Sequence, residues 1–256
     1  MFFKTKLNIK FIIFSLIIGS VFSCKKAEDR KCWKRAGNED IKIVYLNNFP
    51  QLLLKKGIHY ELIQDSLNQI EIIGGKNLIQ FIDIQETESN SISISNNNKC
   101  NFLRKYEKNI IKVKIHFTQL SYIRYEGTEN LINKDTLHFQ DFKFESIDAC
   151  GSSHLILKAN NLEALAPMGN SNFTFSGEVE NLKLDIRDYS YCNTLFLKVK
   201  NNLNVINESF NDVYINADQN QLTGKIIGAG NVYYKGNLLS NELKIFGSGK
   251  LIKLSP

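Results

Sequence analysis

Hydrophobic and polar residues alternate in short runs along much of this chain. Ile111-Lys112-Val113-Lys114-Ile115-His116-Phe117 puts its apolar side chains on one face of a strand and Lys112, Lys114 and His116 on the other. Ser91-Ile92-Ser93-Ile94-Ser95 and Ile70-Glu71-Ile72-Ile73 carry the same half-buried pattern, and residues 41–46 and 51–54 predict further strands. Lys76 to Ile84 (KNLIQFIDI) reads as a short helical turn, with another strand as the alternative. From Gln119 onward the pattern changes, and hairpin-like strands give way to what look like coils.

The change is clearest in the last third. Gly228-Ala229-Gly230-Asn231-Val232 and Gly247-Ser248-Gly249-Lys250-Leu251 are echoes of each other, each a Gly-x-Gly turn feeding a short strand. Walking back from Leu251 and Val232 meets Val213, Leu195, Phe173 and Leu155, each after a small or polar turn. The intervals from Leu155 onward are 18, 22, 18, 19 and 19 residues, within the range of solenoid repeats. Such coils cannot bury their own inward faces, so each must be covered by the next. The expectation is that these six residues are equivalent core positions, one per coil. Asn, Gly and Asp dominate the corners, where they tolerate positive φ. Asn160-Asn161, Asn201-Asn202 and Asn231 are placed to stack into ladders between coils.

The N-terminus is a processing segment. Lys4, Lys6 and Lys10 precede an apolar run from Phe11 to Gly19, too short to span a bilayer comfortably. Ser20-Val21-Phe22-Ser23-Cys24 follows and resembles a bacterial lipoprotein signal, with cleavage before Cys24 and acylation of that residue. An ordinary secretory signal or an uncleaved anchor is the plainer alternative. Removing residues 1–23 takes away three lysines and no acid, so the formal charge falls from +6 to +3. Acyl chains, at about 0.8 kcal/mol per buried CH₂, would hold the protein on a membrane without a transmembrane helix. No Lys/Arg block is interleaved with stacking aromatics, so nucleic acid is excluded as a partner.

Four cysteines remain after Cys24: Cys32, Cys100, Cys150 and Cys192. None has Cys-x-x-Cys spacing, and an exported protein favours disulfides over metal. Cys32 with Cys100 is the preferred bridge, and the chain-entropy model gives it roughly 4 kcal/mol. Cys150 and Cys192 lie about two coils apart, which strains a direct bond, and read as buried thiols.

The order of segments is therefore a signal peptide (residues 1–23), a charged tether (24–40), a strand-rich N-terminal part (41–118) and a solenoid part of the same domain (119–254). The phrases Asn98-Lys99-Cys100-Asn101-Phe102-Leu103-Arg104, Leu120-Ser121-Tyr122-Ile123-Arg124-Tyr125-Glu126-Gly127, Gly-Asn-Val-Tyr-Tyr-Lys-Gly-Asn (230–237) and Gly-Ser-Gly-Lys-Leu (247–251) together resemble the head GIN domain family, also called the putative auto-transporter adhesin family. The resemblance runs from about Ile41 to Leu254. It implies an all-β fold, a right-handed parallel β-helix-like solenoid with a strand-rich N-terminal part. It also implies a Gram-negative envelope setting and no established catalytic residues. Phe210-Asn211-Asp212 departs from the family's Gly-x-Gly corner.

Catalytic chemistry is sparse. His59, His116, His138 and His154 lie on separate segments without metal-ligand spacing and read as solvated or strand-face residues. Gly228-Ala229-Gly230, Gly247-Ser248-Gly249 and Gly74-Gly75-Lys76 are turns, since none has the phosphate-loop sequence or its following helix. Ser152-Ser153-His154 places Ser beside His, but adjacency in a strand does not make a triad. Asp83, Glu86 and Glu88 lack the spacing of a calcium loop. Asp185, Arg187 and Asp188 come nearest to the acid–base clusters of β-helix glycosidases and lyases, but alternation puts Asp185 and Arg187 on one face, a solvated ion-pair face, and Asp188 on the other. No catalytic residue, metal or cofactor is expected.

Tyr189, Tyr191, Tyr214, Tyr233 and Tyr234 recur in neighbouring coils. Tyrosine offers rigid apolar area with a polar tip, so a strip of them suits sugar or protein contact. The expected function is a non-enzymatic, lipid-anchored outer-membrane solenoid, facing periplasm or cell surface, that binds carbohydrate or a cell-surface protein. A carbohydrate-active β-helix enzyme and a ligand-free structural component are the alternatives.

Overall fold

The computed structural model describes residues 35–87, 90–99 and 110–255. The N-terminal part runs β1 (Glu39–Tyr45), β2 (Gln51–Leu54), β3 (His59–Gln64), β4 (Gln69–Gly75), the helical turn α1 (Lys76–Ile79), β5 (Ile82–Glu86), β6 (Ser91–Asn96) and β7 (Lys112–Phe117). Next come β8 (Tyr122–Tyr125) and β9 (Leu131–Asn133), then long bent strands: β10 (Leu137–Ile147), β11 (Ser152–Met168), β12 (Asn172–Asp188) and β13 (Tyr191–Ser209). Shorter pieces follow: β14 (Val213–Asn216), β15 (Gln221–Ile226), β16 (Val232–Lys235), β17 (Ser240–Ile245) and β18 (Leu251–Lys253).

These strands stack in parallel into a β-solenoid of about seven turns. Wall A stacks β6, β2, β8, the second half of β10, and then segments of β11, β12, β13, β15 and β17. Wall B stacks β7, β3, β9, the starts of β11, β12 and β13, and then β14, β16 and β18. A shorter wall C joins the first part of β10 to the middles of β11, β12 and β13. Alternation does the packing: in β7, Val113, Ile115 and Phe117 are fully buried while Lys112 is exposed. Phe144, Phe173 and Phe175 interlock across coils with ring centroids 5.1–5.5 Å apart.

Stacking is not confined to the stretch after residue 119. β2 lies between β6 and β8, and β3 between β7 and β9, all in parallel register. The coil made first in sequence is thus an inner coil in space. Among the described residues, only β4 on β7, β1 on β4, and β5 on β6 pair antiparallel. They cover the N-terminal edges of walls B and A, and leave β1 and β5 as the outermost strands at that end. β1 begins inside the expected tether, and Ala36, just before it, is buried and accepts the Asn77 N–H at 2.9 Å. Residues 76–84 divide into the turn α1 and β5.

The expected core column needs two corrections. The true wall B rung runs Ser153, Phe173, Cys192, Val213, Val232 and Leu251. Leu155 pairs with Phe175 instead. Leu195 is only half-buried and belongs to a bulge in which β13 has one more residue than β12 between the Thr174 and Ser176 rungs. A second bulge follows between the Val179 and Asn181 rungs. The long interval before Leu195 is absorbed there and the ladder continues. The Gly-x-Gly corners also have a different cause from the expected positive φ. Gly230 and Gly249 do not adopt it; a methyl group there would collide with the carbonyl oxygens of Asn211 and Gly230 one coil below.

Cys150 and Cys192 are free thiols; Cys192 is buried as expected, but Cys150 is exposed. Cys24, Cys32 and Cys100 lie outside the described residues.

Candidate binding surface

Wall B carries the tyrosines. In β14, Val213 and Ile215 turn inward and Tyr214 outward; in β16, Val232 turns inward and Tyr233 outward. The 19-residue coil places Tyr233 directly on Tyr214 and Ile252 on Tyr233. The Tyr214 and Tyr233 rings stack with centroids 5.0 Å apart and planes within 10°. Tyr191 is offset, because Tyr214 pairs with Asn193. Its ring is nevertheless 5.7 Å from that of Tyr214, tilted by 50°, and its hydroxyl accepts from Asn193 Nδ2 at 3.4 Å. Burial, together with Asp212 and the flanking tyrosines, raises the Tyr214 phenol above its ordinary value. It therefore stays a neutral hydroxyl, able to donate and accept.

The other two expected tyrosines are elsewhere. Tyr234 occupies the rung of inward-facing Ile215 and packs against the core. Tyr189 has turned the corner out of wall B; it is 58% exposed and stacks on Phe210 (centroids 5.0 Å, planes 20° apart). The structure thus assembles Tyr191, Tyr214 and Tyr233 and separates Tyr189 and Tyr234 from them.

Sequence reasoning missed Phe196. It is 72% exposed, and Lys235 Nζ lies 5.0 Å from its ring centroid, a cation–π distance. The β13 bulge turns it outward, and simple alternation does not reveal that.

The acids, Arg187 and the histidines singled out in the sequence form ion pairs and corner contacts. Arg187 grips Asp185 at 2.9 and 3.0 Å and approaches Glu208 at 3.7 Å. Asp188, at positive φ, accepts the Gly169 N–H at 3.1 Å as part of the corner. His116 contacts Asp65 at 2.7 Å and Glu71 at 3.5 Å, and His59 contacts Glu129 at 3.3 Å. Burial pushes the Asp65 carboxyl up, but the hydrogen bonds from His116 and the Leu67 N–H outweigh it and hold the group below its ordinary range. Among the described residues, no three His, Cys, Asp or Glu side chains are grouped to hold a metal ion.

A model of the family described as putative auto-transporter adhesin, head GIN domain, matches residues 48–237. The chain belongs to this head GIN domain family. No curated protein sequence matches it. Solved structures do. A putative adhesin from Bacteroides fragilis NCTC 9343 is 15% identical, with a TM-score of 0.72 over 85% of this chain and 97% of that one. A putative adhesin from Parabacteroides distasonis ATCC 8503 gives 14% and 0.61, over 85% and 98%. A protein from the same organism, described as a putative lipid binding protein, gives 16% and 0.59, over 86% and 98%. At such identities the likeness establishes the fold, and the head GIN domain here shares it from end to end of those chains.

Proposed function

We propose that this head GIN domain is a non-enzymatic binding module, lipid-anchored through Cys24 in the outer membrane and facing periplasm or cell surface. Wall B makes the contact. The observation that carries this reading is the Tyr191–Tyr214–Tyr233 array, fixed by the coil repeat and backed by buried Val213 and Val232. A partner meeting it loses little of the protein's conformational freedom, because the rings are already in place. Carbohydrate or a cell-surface protein suits an apolar ring face with a neutral hydroxyl at its edge. The adhesin description of the family and the lipobox-like Ser20–Cys24 sequence support the setting.

Two measurements test it together. Metabolic labelling with a fatty-acid analogue should tag the protein, and Cys24→Ala should abolish the tag; a persistent tag ends the lipoprotein reading. Glycan-array and cell-binding assays on the purified domain should give a signal that Tyr214→Ala, Tyr233→Ala removes. A signal unchanged in a folded double variant ends the wall B reading.

A further inference from the structure

We propose that wall A carries a second binding site, a groove that takes a linear, uncharged glycan running along the solenoid axis. The inference goes beyond the tyrosine array and lies on a different wall.

At the corner where wall C meets wall A, Asp141, Asn161, Asn181 and Asn202 occupy one rung position in four successive coils. Asn161 Nδ2 donates to Asp141 Oδ1 at 2.6 Å, Asn181 Nδ2 to Asn161 Oδ1 at 2.9 Å, and Asn202 Nδ2 to Asn181 Oδ1 at 2.8 Å. Asp141 fixes the direction of the chain. An ionised carboxylate only accepts, so Asn161 must turn its NH₂ toward it and its carbonyl toward Asn181, and each later amide follows. The ladder uses one amide hydrogen and one carbonyl lone pair of Asn161 and of Asn181. One donor and one acceptor remain on each, held in a fixed direction at the edge of the groove.

Two residues further along each coil, Lys143, Glu163 and Lys183 form a parallel row, with Lys183 Nζ 2.7 Å and Lys143 Nζ 3.9 Å from Glu163. Between the rows lies a groove with a volume of about 460 Å³; Phe142, Leu162 and Leu182 at its base turn their side chains into the core and leave only 2% of their surface exposed, so its floor is strand backbone. A ligand lying there meets a polar edge, a floor of strand backbone and a second polar edge. One residue of the ladder and one of the second row recur once per coil, about every 4.8 Å, with the second row running Lys143, Glu163, Lys183 and Asn204.

Three properties of this pattern select the ligand. An extended peptide rises about 3.3 Å per residue and falls out of step with the rungs at once. A pyranose ring in a flat β-1,4 chain advances by close to one coil and turns hydroxyls to both edges, the two edges of the ring exchanging sides from each ring to the next. The charges also cancel: Asp141 and Glu163 stand against Lys143 and Lys183, so an anionic polysaccharide gains nothing over a neutral one. Because all the ladder amides point one way, such a chain binds in one polarity.

The test uses the purified full-length mature protein and neutral β-1,4-linked oligosaccharides of glucose, xylose, mannose and N-acetylglucosamine, from monosaccharide to octasaccharide, in titration calorimetry. Affinity should rise by about tenfold or more from disaccharide to tetrasaccharide as further rungs are engaged, and then level off. Asn181→Ala removes the central rung and should abolish the gain. Asn204→Trp, which fills the groove from the opposite edge without touching the ladder and gives up only the Asn204 Nδ2 hydrogen bond to Thr223 Oγ1, should abolish binding in a protein that circular dichroism shows to be folded. Tyr214→Ala should leave it intact. Affinity independent of chain length, preference for oligogalacturonate, no binding by any member of the series, or binding indifferent to Asn204→Trp would each overturn the proposal. Binding lost in Tyr214→Ala but kept in both groove variants would move the ligand to wall B, upholding the earlier reading and sinking this one.

Discussion

Val213 sits directly above Cys192, on consecutive rungs of wall B, and neither side chain has any exposed surface. Phe173 lies below them and Val232 above, also fully buried. A charge introduced into this column has no partner and no water. Val213→Asp should therefore cost more than about 4 kcal/mol and unfold at least the C-terminal coils. Lys198→Asp, on the outside of wall C, should stay within about 0.5 kcal/mol. Urea unfolding followed by circular dichroism checks both; comparable losses for the two would disprove the packing of the column.

The two described thiols should behave oppositely. Burial pushes the Cys192 thiol well above its ordinary value, whereas Cys150 is exposed. Thiolate is the reactive form. Iodoacetamide in native buffer should alkylate Cys150 and leave Cys192 unmodified until denaturant is added, as read by peptide mass spectrometry. Modification of Cys192 at the native rate of Cys150 would contradict its place in the core.

Glu126 should make the protein sensitive to acid. Burial pushes its carboxyl up, but Lys55 and Arg124, each 2.6 Å away, outweigh that and hold it below the ordinary range. A carboxyl depressed in the folded state contributes stability that is present above its unfolded pKa, about 4.3. That contribution is lost as the pH falls through the lower folded value. Stability measured from pH 7 downward should decline through this window, and Glu126→Gln should lower stability at pH 7 while flattening the decline. An unchanged slope in Glu126→Gln would remove Glu126 from the acid response.

A fourth expectation concerns Cys32 and Cys100. Asn77 Nδ2 donates to the Arg35 carbonyl at 3.0 Å, and Asn98 Nδ2 donates to the Leu78 carbonyl at 3.0 Å. The chain three residues after Cys32 and the chain two residues before Cys100 are therefore held on adjacent residues of α1. Non-reducing peptide mapping of exported protein should find the two cysteines joined. Free thiols at both would exclude the bridge.

How far the sequence could be read depended on which contacts were local in it. Val213, Val232 and Leu251 recur at 19 residues because each coil there follows directly on the last, so period and rung coincide. At the first rung of this column alternation gives Leu155 and Ser153 the same parity, and hydrophobicity favours Leu155, whereas the rung is held by Ser153. Ser153 is nonetheless fully buried. Leu195 misses the rung that Cys192 occupies, since a bulge there shifts the phase by one residue, which no periodic template contains. In the candidate sites, the spacing of Tyr214 and Tyr233 was legible. The inward turn of Tyr234 and the outward turn of Phe196 were not.

The sequence by itself determined that the chain forms half-buried strands, that the C-terminal coils stack at a near-constant repeat, and that asparagines stand at corners able to form ladders. Those properties follow from side-chain alternation and from contacts between neighbouring coils. Only the tertiary structure decided that β2 is inserted between β6 and β8, since Gln51 pairs with both Ser91 and Tyr122 across long and unequal stretches of chain. It also decided that Asp141 ends the asparagine ladder and orients every amide in it, because a hydrogen bond's direction depends on which partner the fold supplies.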